Sequence, residues 1–514
     1  ALGSSGTRAR VGRGRSPAPC RFWRRPGDPP VRQRSKGLDR RQICRYGAQD
    51  PGSAPGPDRA DRVSSSVVLD LPGVPPELLP LLRSAARGHR VALVGGVVRD
   101  WLLHRVHQDP WRGLIDLDLV VEGSAVAFVE GLRAELADRA AADGGDADFC
   151  LVAAQEHGAY GTVELELRVA GEAVLLDVAT ARCETYTQLG DNPVVAFGSL
   201  EDDLRRRDFT INAMAVLLEP LSGSTSSAAV LLDPHGGQQD LERRQLRFLH
   251  GGSVADDPTR LVRGARYAAR LHCALTSTAR DQARQTLERW PWSWQPGDAP
   301  GLAPSALGTR LRMELELLLE REPWRQALSV LQDWGGLMLL DPALQADRTW
   351  PRRLRWAKRF GLPLLPALLA SASDPLVLAE RLQVPHRQHK LLVEWCGLRQ
   401  RWEHLQLSSL RRHGRVSSAW GAEVWSQWLE VSGLSSDAVA LELACGGGSF
   451  VQQAGGIPGS LPRRPLLRWW LHWRHLKAPF SAVELMATEG LLPGPALGER
   501  LRRLRAERLA AERC

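Results

Sequence analysis

Two regimes of apolar patterning divide this 514-residue chain. Up to about residue 65 no hydrophobic period exists, and Gly, Pro, Ser and Arg dominate, so 1–65 is expected to be a disordered basic tail. From there to about residue 250, short apolar runs predict mixed elements: a helix within 76–89, a strand at 91–94, a Gly-Gly turn, a helix at 97–104, a strand at 114–121 and a helix over Ala125–Ala142. Thr162–Val169 alternates apolar with polar and reads as a half-buried strand, with 173–178 as its partner. A helix is predicted for 200–213, then short strands at 214–218 and 229–232. Beyond residue 250 the pattern is almost wholly helical, with amphipathic runs at 258–271, 305–320 and 378–400, and 446–465 reads as a loop. This order predicts an α+β fold: a head at 66–220 with a small mixed sheet, a helical neck at 221–345, and a helical body and tail at 346–514.

Composition narrows the class. Hydrophobic content of 43% and charged content of 24% are those of a globular protein with a core. Eight cysteines are scattered without a CxxC pair, which argues against a disulfide framework or a zinc site and for a reduced, cytoplasmic chain. No apolar run approaches the roughly 18–20 residues of a membrane span. The net charge of +9 is unevenly spread. Residues 1–50 carry 13 Lys and Arg against 3 Asp, 51–350 carry 30 basic against 42 acidic side chains, and 351–514 carry 24 against 13. Nucleic-acid binding therefore falls to the basic C-terminal third, which can neutralise phosphates, and the acidic middle is suited to cations. For the tail, an Arg-rich transit peptide and a mis-assigned translation start both fit, and the absence of any fold logic favours the second.

The chemistry-bearing motifs begin at Gly95-Gly96-Val97-Val98-Arg99-Asp100, followed by Asp116-Leu117-Asp118. On a strand, residues i and i+2 share a face, so Asp116 and Asp118 project together while Leu117 enters the core. Paired carboxylates repel unless a cation lies between them, and Mg²⁺ favours hard oxygen ligands completed by substrate phosphates. A lone DxD is better explained by a solvated acidic strand end. Coupled to the upstream Gly-Gly turn, whose helix amides and Arg99 can face a triphosphate, it predicts a two-Mg²⁺ nucleotide site. A second run, Arg205-Arg206-Arg207-Asp208-Phe209-Thr210-Ile211-Asn212, offers Arg206, Arg207, Asp208 and Asn212 for phosphate and ribose contacts.

Taken in order, GGxVRD, DxD and RRDFTINAMA resemble the class II CCA-adding enzymes and bacterial poly(A) polymerases, nucleotidyltransferases of the DNA polymerase beta superfamily. The resemblance continues through 233–241, similar to a D-x-x-G-G-x-x-D-L hinge segment. It extends through 256–267, similar to E-D-x-x-R-x-x-R-x-x-R-F, and 307–319, similar to the family's final motif. Departures are small: Asp256 stands for Glu, Tyr267 for Phe, and Gly264 weakens its helix by up to about 1 kcal/mol relative to Ala. Asp177 matches the superfamily's third carboxylate, or is a strand-end Asp satisfied by backbone, and both readings stay open. Glu184 and Tyr186, in the 180–193 loop, match a flexible segment that helps reshape the family's site.

The resemblance implies a nucleotidyltransferase head that transfers CMP and/or AMP from CTP or ATP to the 3′-hydroxyl of tRNA, without a template and with release of pyrophosphate. Asp116 and Asp118 would hold the two Mg²⁺ ions. Gly95, Gly96, Arg99, Arg206, Arg207, Asp208 and Asn212 would meet the nucleotide, and Asp257 and Arg260 would read its base. Read as neighbours at i and i+3 of one helix, Asp257 accepts hydrogen bonds and Arg260 donates them. That pair matches the amino donor and ring-nitrogen acceptor shared by cytosine and adenine, and leaves unpaired groups against uracil or guanine. Arg263 and Arg266 would reach phosphates or brace the pair. The acceptor arm and 3′ end of tRNA would lie on the basic helical third, with no membrane and no obligatory protein partner. The sequence leaves open whether CCA, CC or A is added. A poly(A) polymerase acting on general RNA shares the motifs, and the intact DxD and RRD argue against a silent RNA-binding relative.

Overall fold

Alternation in Thr162–Val169 places Val163, Leu165, Leu167 and Val169 on one face, all buried, with Glu164 and Arg168 exposed on the other. A computed structural model describes residues 64–512 apart from 87, 112, 114–115, 143–148, 159–160, 219–227, 411–419, 431–432 and 447–460. The expected 1–65 tail thus falls largely outside the described residues, as does most of the 446–465 loop. All described residues belong to one compact unit, Asp58–Cys514.

The head runs β1 (Ser64–Val68), α1 (Leu78–Ala85), β2 (Arg90–Val94), α2 (Gly96–Arg105), β3 (Leu117–Glu122), α3 (Ala125–Ala142), β4 (Cys150–His157), β5 (Thr162–Val169) and β6 (Glu172–Thr180). It continues with β7 (Arg182–Thr185), β8 (Val194–Phe197), α4 (Leu200–Arg205), β9 (Ala215–Leu217) and β10 (Ala228–Leu232). Eight strands form one mixed sheet in the order β1-β10-β9-β2-β3-β6-β5-β4, and β7 with β8 makes a separate two-stranded ribbon. Only the β3–β6 pair of the large sheet is parallel, and it sets Asp118 opposite Asp177. One sheet face is sealed by α1, α2 and α3 through residues such as Leu82, Trp101 and Phe128. The other carries a smaller cluster in which Leu200 and Leu204 of α4 cover Val94, Val120 and Ala215.

Helices follow: α5 (Gly237–Glu242), α6 (Ser253–Asp256), α7 (Thr259–Leu271), α8 (Ser277–Arg289), α9 (Thr309–Arg321), α10 (Trp324–Asp333), then further helices to Ala510. The main core runs without a break from Leu69 in the head to Cys445. Tryptophans build a second core at the C-terminal end, where Trp402 stacks on Trp425 with ring centroids 5.5 Å apart beside Trp469 and Trp473. No helix among the described residues is long and apolar enough to cross a membrane.

The α+β architecture agrees with the pattern, and four local expectations do not. The strand read as 114–121 begins at Leu117, so Asp116 precedes it. Ser64–Val68 pairs with β10 and extends the sheet into what read as tail. β4 was not predicted: most of its side chains are exposed, as befits an edge strand, so no alternation marks it. The helix expected over 200–213 stops at Arg205, after a Ser199–Asp202 capping box starts it. Phe209 is then extended, and Thr210–Asn212 forms a single 3₁₀ turn. Asp208 explains the stop, because its Oδ1 accepts from the Phe209 amide at 2.8 Å and from Asn212 Nδ2 at 2.9 Å.

Candidate active site

The Gly-Gly turn brings three segments to one point. Gly95 has φ of +71°, and a Cβ there would lie 2.9 Å from Arg207 Nη1 and 3.4 Å from Asp118 Oδ2. Only glycine takes that backbone and admits both neighbours. One turn further, Arg99 is 4% exposed and donates to both carboxylate oxygens of Asp100, at 2.8 and 2.9 Å, and to Asn212 Oδ1 at 2.7 Å. Its guanidinium therefore ties α2 to the 206–212 segment.

That segment is held from below by a residue the sequence did not single out. Asp203 is fully buried, and its two oxygens bind Arg206 at 2.6 Å and Arg207 at 2.8 Å. Burial alone would raise its pKa, but Arg207 and Arg206 carry it below the ordinary carboxylate range. Arg206 also reaches Glu184 of β7 at 2.8 Å, so the ribbon is joined to the same network. Asp203→Asn is expected to cost about 3 kcal/mol of stability, the low end for breaking a buried pair because both arginines keep some hydration. A folded pKa below the unfolded one stabilises above the unfolded value and is lost as pH falls through the folded one. Denaturant titration should therefore show the gap between wild type and Asp203→Asn closing only below about pH 4. A gap that closes near neutrality would contradict the assignment.

Asp257 is not on the helix with Arg260, contrary to expectation. It sits in the extended break between α6 and α7, and Pro258 and Thr259 open the helix behind it. Its Oδ1 accepts from the Thr259 amide at 3.0 Å, capping that helix, while Oδ2 meets Arg263 at 3.3 Å and Arg310 of α9. The Arg260 side chain bonds Ser253 and the Arg206 carbonyl, the latter at 2.9 Å, so the two predicted base readers meet through the Arg260 amide and the Asp257 carbonyl, 3.1 Å apart, and not by pairing their side chains. Arg263 spans Asp257 and Asp208, which makes it a brace. Arg266 turns away to Glu314 at 2.6 Å and Glu322 at 3.4 Å. Gly264, the weak point of α7, is where Phe209 packs: a Cβ would stand 2.8 Å from its Cζ.

Every residue predicted for the site except Asp177 lines one cleft of about 770 Å³. Nine arginines and five carboxylates face it, an excess of positive charge inside an acidic stretch of chain, which suits a polyanion. Sequence reasoning missed Arg182, Tyr267, Arg270 and Arg310 as lining residues, although Arg310 lies in the LGTRLR run that was singled out. Tyr267 packs under the Arg99 guanidinium, 5.2 Å from ring centre to Cζ.

Asp116 is exposed, Asp118 is half-buried, and both line the cleft. Burial and then Asp116 push the Asp118 carboxyl up, against the pull of Arg207 and Arg99. Asp177 is raised to about 6 by burial, Asp116 and Asp118, yet it stands outside the cleft. Among the described residues no group of three or more His, Cys, Asp or Glu could hold a metal ion. Two hard, mutually repelling carboxylates beside a cleft for phosphates nevertheless fit a divalent cation whose shell is completed by substrate.

Residues 91–247 match the poly(A) polymerase head domain. Over 320 residues the chain is 38% identical to the CC-adding tRNA nucleotidyltransferase of Deinococcus radiodurans, covering 61% of this chain and 72% of the relative. The chain belongs to the class II CCA-adding tRNA nucleotidyltransferase and poly(A) polymerase family. This nucleotidyltransferase is also 34% identical over 251 residues to the A-adding enzyme of Halalkalibacterium halodurans, spanning 48% of this chain and 49% of that one. Its fold is that of the Thermotoga maritima CCA-adding enzyme complexed with tRNA, at TM-score 0.56 and 23% identity over 88% and 96% of the two chains. Nucleotidyltransferases of this kind generally use divalent metals, and the Asp116–Asp118 pair accords with that.

Proposed function

We propose that this enzyme transfers CMP and/or AMP from CTP or ATP to the 3′-hydroxyl of tRNA, releasing pyrophosphate. The observation that carries the reading is the single cleft joining the Asp116–Asp118 pair, the Gly95 turn and the Asp257–Arg260 region. Asp116 and Asp118 would hold two Mg²⁺ ions. When bound, these supply charge neutralisation on the triphosphate and a lowered pKa for the attacking hydroxyl. Arg206 and Arg207, prepaid in orientation by Asp203, offer their outer N–H groups to the triphosphate. The Gly95–Gly96 amides at the start of α2 add donors there. Asp257 and Arg260 read the base edge, with Arg263 and Arg310 holding Asp257. The division into a catalytic head at 66–220, a base-reading neck at 221–345 and an RNA-binding body and tail at 346–514 belongs to the same proposal. So does a cytoplasmic location, with which the five free cysteines among the described residues accord.

CC addition is the product favoured by extent of similarity. The Deinococcus relative is matched over 72% of its length, whereas the Halalkalibacterium enzyme is matched over 49%. The test incubates the purified chain with tRNA transcripts ending before the first C, after C, and after CC, each with one nucleotide and Mg²⁺. Incorporation of C on the first two and none on the third is expected, and chelation of Mg²⁺ abolishes it. C on the first two together with A on the third, or A on the third alone, would reassign the product. A long A tail on any RNA would overturn the tRNA reading.

A further inference from the structure

The β7–β8 ribbon forms one wall of the cleft, and its register sorts its side chains. Arg182 pairs with Phe197 and Glu184 with Val195, so these four lie on one face. Arg182, Glu184 and Val195 all line the cleft. Phe197 therefore shares that ribbon face just beyond the lining residues, about 7 Å along the strand from Val195. Yet the residue is 84% exposed to solvent. The ribbon does not leave it loose. The Gly198 amide bonds the Ala181 carbonyl at 3.0 Å at the sheet end, and at the far end the Gly190 amide bonds the Asp256 carbonyl at 3.1 Å.

A solvent-facing aromatic on a hydrogen-bonded ribbon at the edge of a polyanion cleft has a specific use. Bases stack on aromatic rings whatever their identity, because every base has a π-face. Resting on the activity proposed above, the RNA acceptor presents a different terminal base after each addition. Hydrogen-bond readout of that base would reject some of these ends, whereas a stacking platform tolerates all of them. Arg182, directly across from Phe197, puts positive charge beside the backbone that carries such a base.

We propose that Phe197 is the stacking platform for the 3′-terminal base of the acceptor RNA. Phe197→Ala and Phe197→Leu should each raise the KM for RNA about tenfold, the order expected for one lost base–aromatic stack. The KM for CTP or ATP should stay unchanged, and Phe197→Trp should restore RNA affinity. An RNA whose terminal nucleotide lacks a base should bind wild type as weakly as intact RNA binds Phe197→Ala, with no further loss on combining the two. Binding of RNA carrying 2-aminopurine at its 3′ end needs no turnover: quenching by wild type and its loss in Phe197→Ala test the stack even if transfer fails. Equal quenching by both proteins, or an alanine effect that persists on the base-free end, would overturn the proposal. Thermal midpoints serve as the folding control, since so exposed a ring contributes little to the core.

Discussion

Asp118→Asn is expected to lower the single-turnover rate of nucleotide transfer by about 10³-fold or more, leaving RNA affinity unchanged. The substitution keeps the shape and removes one of the two charges available to a divalent cation. Several kcal/mol of transition-state stabilisation depend on that cation, and each 1.36 kcal/mol is tenfold in rate. The same substitution should not weaken the fold. Asp118 is pushed up by burial and by Asp116, and a carboxyl raised in the folded state destabilises it once pH exceeds the unfolded value. Removing the charge removes that penalty, so without Mg²⁺ the variant should melt at or above the wild-type temperature. Activity lost together with stability would mean that Asp118 is a structural residue, and activity retained within tenfold would refute the metal site.

The second large effect is expected at Asp257→Asn. Asp257 is 2% exposed, and its charge is matched by Arg263, Arg310 and Arg260, which hold its pKa below the ordinary range despite burial. Losing that charge leaves the half-buried Arg263 and Arg310 guanidinium groups without their shared buried partner and should cost about 3 kcal/mol, measured by denaturant unfolding at pH 7. Because the folded pKa lies below the unfolded one, this difference is present above the unfolded value and fades as the wild type protonates in acid. Base selection should fall as well. An amide can turn either its oxygen or its nitrogen to the base, so discrimination of CTP and ATP against UTP and GTP should drop by about 10²-fold. Unchanged selectivity in a folded Asp257→Asn protein would move base reading elsewhere in the cleft. Arg310→Lys probes the brace separately, since a lysine cannot reproduce the planar guanidinium fork.

Much of the site was legible because its residues come in short runs with fixed local consequences. A Gly-Gly turn before a helix, a DxD at a strand start and an Arg-Arg-Asp run each constrain chemistry over a few residues. What could not be read was any pairing across the chain. Asp203 looks like one acid among several in 201–203, and only the fold shows it buried beneath two arginines. Spacing alone put Asp257 and Arg260 on one helix, but Pro258 begins the helix after Asp257 and leaves the carboxylate to Arg310, 53 residues away. The ribbon was invisible for a related reason: β7 and β8 have four residues each, too few for a period to register.

By itself, then, the sequence determined the α+β order of elements, the family and most of the side chains in the cleft, because periodicity and motif spacing are local properties. Tertiary structure alone decided how those side chains are employed. Arg99 was expected to face a triphosphate, and Arg263 and Arg266 to reach phosphates or act as braces; the three engage Asp100, Asp208, Asp257 and Glu314. Phe197, which the sequence did not single out, is solvent-exposed on the ribbon face that carries Arg182, Glu184 and Val195. A charge or a ring acquires its role from the groups it meets, and in this chain those groups arrive from distant segments.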